Sequence, residues 1–407
     1  MNETTKAPSL RWGYLALGVT ALLFAGILYG WSILKAPLAN TFGWSEPQLA
    51  LNFTLTMCFF CLGGFLGGLA NKRLGPRLPL LLAGGVSCAG FLMTAALDGG
   101  SVAMLYVSYG FLAGGGIGVA YNIIISTVSA WFPDKKGVCS GALMMGFGAS
   151  ALVVGGFASA LIEGPGWRRC FTVLGLCLGA VLFLTGLLLR RPAAGTVFPR
   201  PVMDPSAGPG ENFDPRDYTT GEMVRRPSFW QAFFCIVFLS AVGNTVISFA
   251  RDLALSVGAP AALATSLVGV LSVCNGLGRI VTGALFDRLG RKRTMVLSNL
   301  LAIAAAGVTL AAVSAGSLPL CVAGLCATGF SYGAAPTISS AFTSAFYGSK
   351  YFPLNFSVMN FNLMGASFIA TAAGALRAST GGYTAPFLLL LGLAVVSLGL
   401  DLSVKRP

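Results

Sequence analysis

Gly283-Ala284-Leu285-Phe286-Asp287-Arg288-Leu289-Gly290-Arg291-Lys292 and, 215 residues earlier, Gly68-Leu69-Ala70-Asn71-Lys72-Arg73-Leu74-Gly75-Pro76-Arg77 are two versions of one phrase. In both, a glycine opens, an arginine follows, and Leu-Gly and a basic residue close. Each phrase ends an apolar run of about 20 residues, the length that crosses a hydrocarbon core of ~30 Å. Two more pairs keep the order: Gly118-Val119-Ala120-Tyr121 with Gly329-Phe330-Ser331-Tyr332, and Gly148-Ala149-Ser150 with Gly365-Ala366-Ser367. Three pairs at nearly one offset predict a chain built twice from one bundle.

Composition says which solvent those bundles meet. Of the 407 residues, 55% are hydrophobic and 10% are charged, where a soluble domain carries about 25% charge. Such a chain has too little polar surface for water, and a bilayer fits it. The net charge of +13 does not point to nucleic acid, because the basic residues stand in short clusters between apolar runs rather than along a groove. Ten cysteines lie mostly inside apolar segments and there is no histidine. They read as small packing residues, Cys58 and Cys61 included, rather than as disulfides or a metal site. No metal, cofactor or enzyme chemistry is expected, since histidine and paired carboxylates are missing. The polar first ten residues and the long first apolar run do not form a cleavable signal.

Apolar stretches at 12–34, 49–70, 78–97, 103–130, 138–162, 169–189, 229–250, 260–286, 294–314, 317–342, 353–376 and 383–403 predict twelve transmembrane helices. The Pro-, Gly- and charge-rich 191–226 reads as a solvated linker. The expected domains are therefore a six-helix bundle at 1–190, the linker, and a second six-helix bundle at 227–407. Twelve crossings put both termini on one side. All Lys and Arg except Lys35, Arg168, Arg169, Arg251, Arg279 and Arg377 fall on that side, which the positive-inside bias makes cytoplasmic. In a bacterium that membrane is the inner one. Paired repeats around a midplane site are the architecture of alternating access.

Arg279 is the residue that carries chemistry. It sits near the middle of the eighth run, where a guanidinium costs at least about 3 kcal/mol on insertion scales. It must face the interior and meet an anion. No carboxylate in the sequence sits clearly mid-span, so the expected anion comes from outside, and a carboxylate suits the guanidinium fork. Asn275 stands one turn earlier and shares its face. Tyr121 and Tyr332 hold matching places in the repeats and are expected either to flank a small ligand or to pack. Lys35, at the outer end of the first run, is expected either to snorkel or to draw anions in. Leu28 is a candidate apolar wall, and Asn360 or Asn362 a polar lining on the eleventh run. Gly68, Arg73, Gly75, Arg77, Gly283, Asp287, Arg288 and Gly290 form the expected cytoplasmic gating loops. Their small residues allow close helix approach and their basic residues reach helix C-terminal carbonyls.

The stretch 283–292 resembles the loop signature of the major facilitator superfamily. With Arg279 placed, the chain resembles the monocarboxylate transporter family and its oxalate–formate antiporter-like branch over nearly its whole length. Trp131-Phe132-Pro133-Asp134-Lys135-Lys136-Gly137 with Gly141 resembles the approach to the fifth span, and Gly221 to Trp230 the approach to the seventh. The resemblance implies the major facilitator fold, with two pseudo-symmetric bundles of six helices. It also implies carboxylate binding by Arg279, a site lined by Tyr121 and Tyr332, and a substrate or proton role for Lys35. Three departures matter. Lys72 replaces the acid that Asp287 supplies in the second loop. Asn360-Phe361-Asn362-Leu363-Met364 lacks the eleventh-span lysine of the oxalate branch, which favours a monoanion. Asn275 replaces a titratable aspartate, which leaves the proton carrier to Lys35 or to the substrate itself. The expected function is proton-coupled symport of a small monocarboxylate such as lactate or pyruvate. The alternatives are an oxalate/formate-type antiporter and a non-transporting acid sensor. The expected partners are the acid, protons and the lipid bilayer.

Overall fold

The computed structural model describes residues 10–193, 196–198 and 216–405. Lys6, Arg200, Arg406 and the linker positions Pro201, Asp204, Pro205, Pro209 and Asp214 lie outside the described residues. The described chain is α-helical and divides into two compact units, Met1–Asp134, Ala142–Pro201 and Phe356–Asn360 against Lys135–Gly141, Val202–Asn355 and Phe361–Pro407. Each unit thus takes a short piece from the other half of the sequence.

In the first unit, α1 (Leu10–Ala25) runs through a 3-10 stretch, Gly26–Gly30, into α2 (Trp31–Phe42). Helices α3 (Glu46–Leu74) and α4 (Arg77–Ala95) follow. The fourth crossing starts as α5 (Val102–Leu105), widens into a π-helix at Tyr106–Ala113 and resumes as α6 (Gly114–Ser129). Helices α7 (Lys136–Glu163) and α8 (Trp167–Leu188) complete the half. The short α9 (Thr220–Val224) then leads to α10 (Pro227–Ser256), α11 (Ala261–Ala315), α12 (Leu318–Tyr347), α13 (Phe352–Met359), α14 (Asn362–Thr380) and α15 (Thr384–Ser403).

Among the described residues, eleven helical segments are long and apolar enough to cross a membrane. One of them, Ser266–Ala315, is 50 residues long. At 1.5 Å per residue that is roughly 75 Å, more than twice a bilayer core. It is broken at Gly290, where φ is 75° and ψ is 178°. Counted as two, it gives the twelve crossings the sequence predicts. Gly75, the matching glycine of the first loop, has φ 72° and ψ −178°. A side chain avoids this conformation, so the two halves turn at the same residue for the same reason.

Large apolar side chains such as Leu66, Leu82, Phe157, Phe183, Leu388 and Val395 lie exposed along the helices. An exposed apolar belt of this kind suits hydrocarbon rather than water. Tyr29, Phe60, Tyr121 and Phe147 interlock inside the first unit at ring separations of 4.9–5.8 Å. A second cluster joins Trp31, Phe91, Tyr109 and Phe171. In the second unit, α11 and α12 meet through glycine. A Cβ on Gly333 would strike the Asn275 carbonyl oxygen and the Arg279 nitrogen, so the backbones touch beside those two residues.

Candidate substrate site and cytoplasmic turns

Arg279 lies on α11, eleven residues before the break at Gly290, and its side chain is 2% exposed. Its Nε donates to Asn275 Oδ1 at 3.2 Å. One helical turn brings the amide under the guanidinium, and the bond fixes the fork's direction. The Arg279 carbonyl is within reach of the Thr337 hydroxyl on α12, at 3.4 Å. Tyr332, also on α12 and buried, donates its hydroxyl to Asn244 Oδ1 on α10 at 2.6 Å. The second unit therefore assembles Arg279, Asn275 and Tyr332 from two touching helices and adds Asn244. Nothing singled Asn244 out in the sequence, where it is one amide in an apolar run. Its offset of 31 residues from Asn275 gives no pattern. The arrangement offers a fixed cation, two amides and a phenol on apolar walls, which can hold a small carboxylate.

Tyr121, Leu28, Lys35 and Asn360 belong to the first unit, and Asn362 belongs to the second. Tyr121 is buried, donates to Met144 Sδ at 2.8 Å and stacks near Phe356 at 6.3 Å. Leu28 is fully buried within the 3-10 stretch Gly26–Gly30. Lys35 is half-buried on α2. Asn360 is buried, and its carbonyl accepts from the Cys61 thiol at 3.4 Å. It falls between α13 and α14, where the eleventh crossing breaks. Asn362 starts α14 and accepts from the Ser240 hydroxyl at 3.4 Å. The helix departs from α geometry at Leu28 and is interrupted at Asn360, but the Leu28 carbonyl accepts from the Trp31 amide and the Asn360 carbonyl from the Cys61 thiol.

The loop residues make different bonds in the two halves. In the second, Asp287 accepts the amide hydrogens of Gly137 at 2.7 Å and Val138 at 2.8 Å. A carboxylate thus caps the start of α7, where free N–H groups and the helix dipole favour an anion. Arg291 reaches the Val404 carbonyl at the end of α15 at 3.5 Å. Gly283 sits against Gly137 with no room for a Cβ, while Arg288 is exposed. In the first half the helix end is served by a cation from elsewhere. Arg191 donates to the carbonyl and side-chain oxygens of Asn71, next to Lys72. Asn71 also donates to Ser126 at 3.1 Å. Gly68 is buried, while Arg73 and Arg77 are exposed beside Gly75. The Trp131–Gly137 stretch is tied down by Asp134, which pairs with Arg11 at 2.8 Å, and by the Trp131 indole, which donates to the Arg190 carbonyl at 2.8 Å. None of the ten cysteines, all among the described residues, forms a disulfide.

The sequence matches the family profile described as Major Facilitator Superfamily over residues 15–250 and 233–404. It is 29% identical over 396 residues to the oxalate:formate antiporter of Oxalobacter formigenes, covering 95% of this chain and 90% of that one. It is 24% identical over 423 residues to monocarboxylate transporter 12 of Homo sapiens, covering 95% and 79%. In fold it is similar to the crystal structure of the transporter FucP in the outward conformation, with a TM-score of 0.72 over 97% of this chain and 99% of that one, at 14% identity.

Proposed function

Because the chain belongs to the Major Facilitator Superfamily, and is therefore an integral membrane transporter rather than an enzyme, we propose that it carries small monocarboxylates such as lactate or pyruvate in symport with protons. The observation that carries this reading is Arg279, a guanidinium buried in the middle of a span and aimed by Asn275. A buried fork of this kind binds a carboxylate by two charge-assisted hydrogen bonds. Asn275 and the Tyr332–Asn244 pair orient it, and Tyr121, Leu28, Lys35 and Asn360 are further candidates for contact with the acid. The lack of a cation in Asn360–Met364 suits one negative charge rather than two. The domains are the two six-helix halves 1–190 and 227–407 joined by 191–226. Both termini face the cytoplasm of a bacterial inner membrane, and the 68–77 and 283–292 loops act as its gates.

Labelled L-lactate uptake into proteoliposomes, with and without an inward proton gradient, tests this. Gradient-driven accumulation is expected. Flux only against a preloaded internal acid would favour exchange, the second reading, which the similarity to an oxalate:formate antiporter supports. Binding without flux would favour a sensor.

A further inference from the structure

Asp401 lies within α15, two residues from its end, yet it is 1% exposed. At the edge of a span a carboxylate is expected to reach for water. This one is enclosed by α10, α11 and the turn after Gly290. Its Oδ2 accepts from Asn299 Nδ2 at 3.5 Å. Its Oδ1 is buried without a hydrogen-bond donor, and the nearest cation, Arg291 Nη1, stands 3.7 Å away. Behind it, the Ser397 hydroxyl donates to Asn299 Oδ1 at 2.6 Å, and Cys235 packs against both. The pair is close enough to attract and too loosely bonded to satisfy a carboxylate in this surrounding.

Arg291 connects this cluster to the turn. It follows Gly290 directly, lies 5.1 Å from the Phe346 ring and reaches the Val404 carbonyl. On the other side of Gly290, Asp287 holds the Gly137 and Val138 amides. The turn is thus pinned at one end to α15 through Asp401 and at the other to α7.

We propose that Asp401 is a proton-binding positioning residue for the 283–292 turn. Ionised, it holds Arg291 and keeps Asp287 on the start of α7. Protonated on Oδ1, it no longer attracts the guanidinium, and the neutral acid is left to Asn299. The charged and titratable groups that face it are Arg291 and Lys292 on the turn and Cys235 on α10. The one titratable residue of α14, Arg377, pairs elsewhere with Asp252 at 3.3 Å. Acid on the cytoplasmic face would then loosen the α7 cap. That consequence for transport rests on the function proposed above, while the proton switch itself does not.

Hydrogen exchange of the amides of Gly137 and Val138, corrected for intrinsic rates, tests the switch in the purified full-length protein without substrate. Protection in the wild type is expected to fall roughly tenfold or more as pH is lowered from neutrality. Asp401→Asn should show the low-protection state already at neutral pH and lose the pH dependence, and Arg291→Gln should do the same. Asp401→Glu should keep the transition. Asp287→Asn should lack protection at every pH. A wild-type profile in Asp401→Asn, or in Arg291→Gln should the former fail to fold, overturns the proposal. A purely structural role would lower protection yet leave its pH dependence, which also overturns it. An intact switch in a protein that moves no carboxylate would sink the transport reading alone.

Discussion

Arg279 shows what one residue can say. A guanidinium in an apolar run is legible because nothing else explains its cost, and the structure buries it with Asn275 attached at 3.2 Å. Lysine keeps the charge but not the planar fork. Arg279→Lys should therefore lose one charge-assisted hydrogen bond, about 1.5–3 kcal/mol, and raise the apparent KM for the acid by roughly 10- to 100-fold at equal expression. Tyr332→Phe removes the bond to Asn244 and should weaken binding by about fivefold, near 1 kcal/mol. If the two groups act as a pair, the Tyr332→Phe/Asn244→Ala double variant should be no worse than the poorer single one, and additive losses in equilibrium binding would separate them. Asn244 and Asp401 were not legible. An amide among apolar residues gives no pattern, and an acid two residues from a helix end reads as interfacial until the neighbouring helices are seen to enclose it.

Glycine gives the clearest reading at the level of elements. Gly75 and Gly290 share one backbone conformation, near φ 75° with ψ at ±178°, that only glycine adopts easily. Alanine at either should cost about 1–3 kcal/mol, seen as comparable drops in thermal midpoint for the two variants. A large drop at one and none at the other would contradict the equivalence of the turns. Gly333→Leu should push α12 from α11 and misplace Arg279, lowering substrate affinity together with stability. Before α10, Thr219 caps α9, and Glu222 accepts the Thr219 amide hydrogen at 2.8 Å and the Thr219 hydroxyl at 2.9 Å. Those bonds, with Arg216 and Arg226, hold the Glu222 carboxyl below its usual range. A depressed pKa stabilises the folded form above the ordinary carboxylate range and stops doing so as pH falls through the folded value. Exchange in α9 should accordingly quicken on acidification in the wild type and change less in Glu222→Gln. The breaks at Gly26–Gly30 and after Met359 escaped the sequence reading, because a mid-helix interruption leaves hydropathy unchanged.

At the scale of the whole molecule, repetition made the fold readable. The offsets of the Leu-Gly turns at Gly75 and Gly290, the Tyr121 and Tyr332 stretches and the Gly-Ala-Ser pairs imply two like bundles before any helix is placed, and membrane-length helices bear out the twelve crossings. What repetition hides is where the halves differ. Asp287 caps a helix start, whereas Lys72 in the matching place cannot, and Arg191 serves that loop by binding Asn71. Substrate choice rests on such differences and not on the shared fold. The most direct measurement is uptake of labelled L-lactate by proteoliposomes holding equal amounts of wild-type and Arg279→Gln protein. Wild-type uptake that the variant loses, with its melting curve unchanged, is the predicted result, and undiminished uptake by Arg279→Gln would contradict the account.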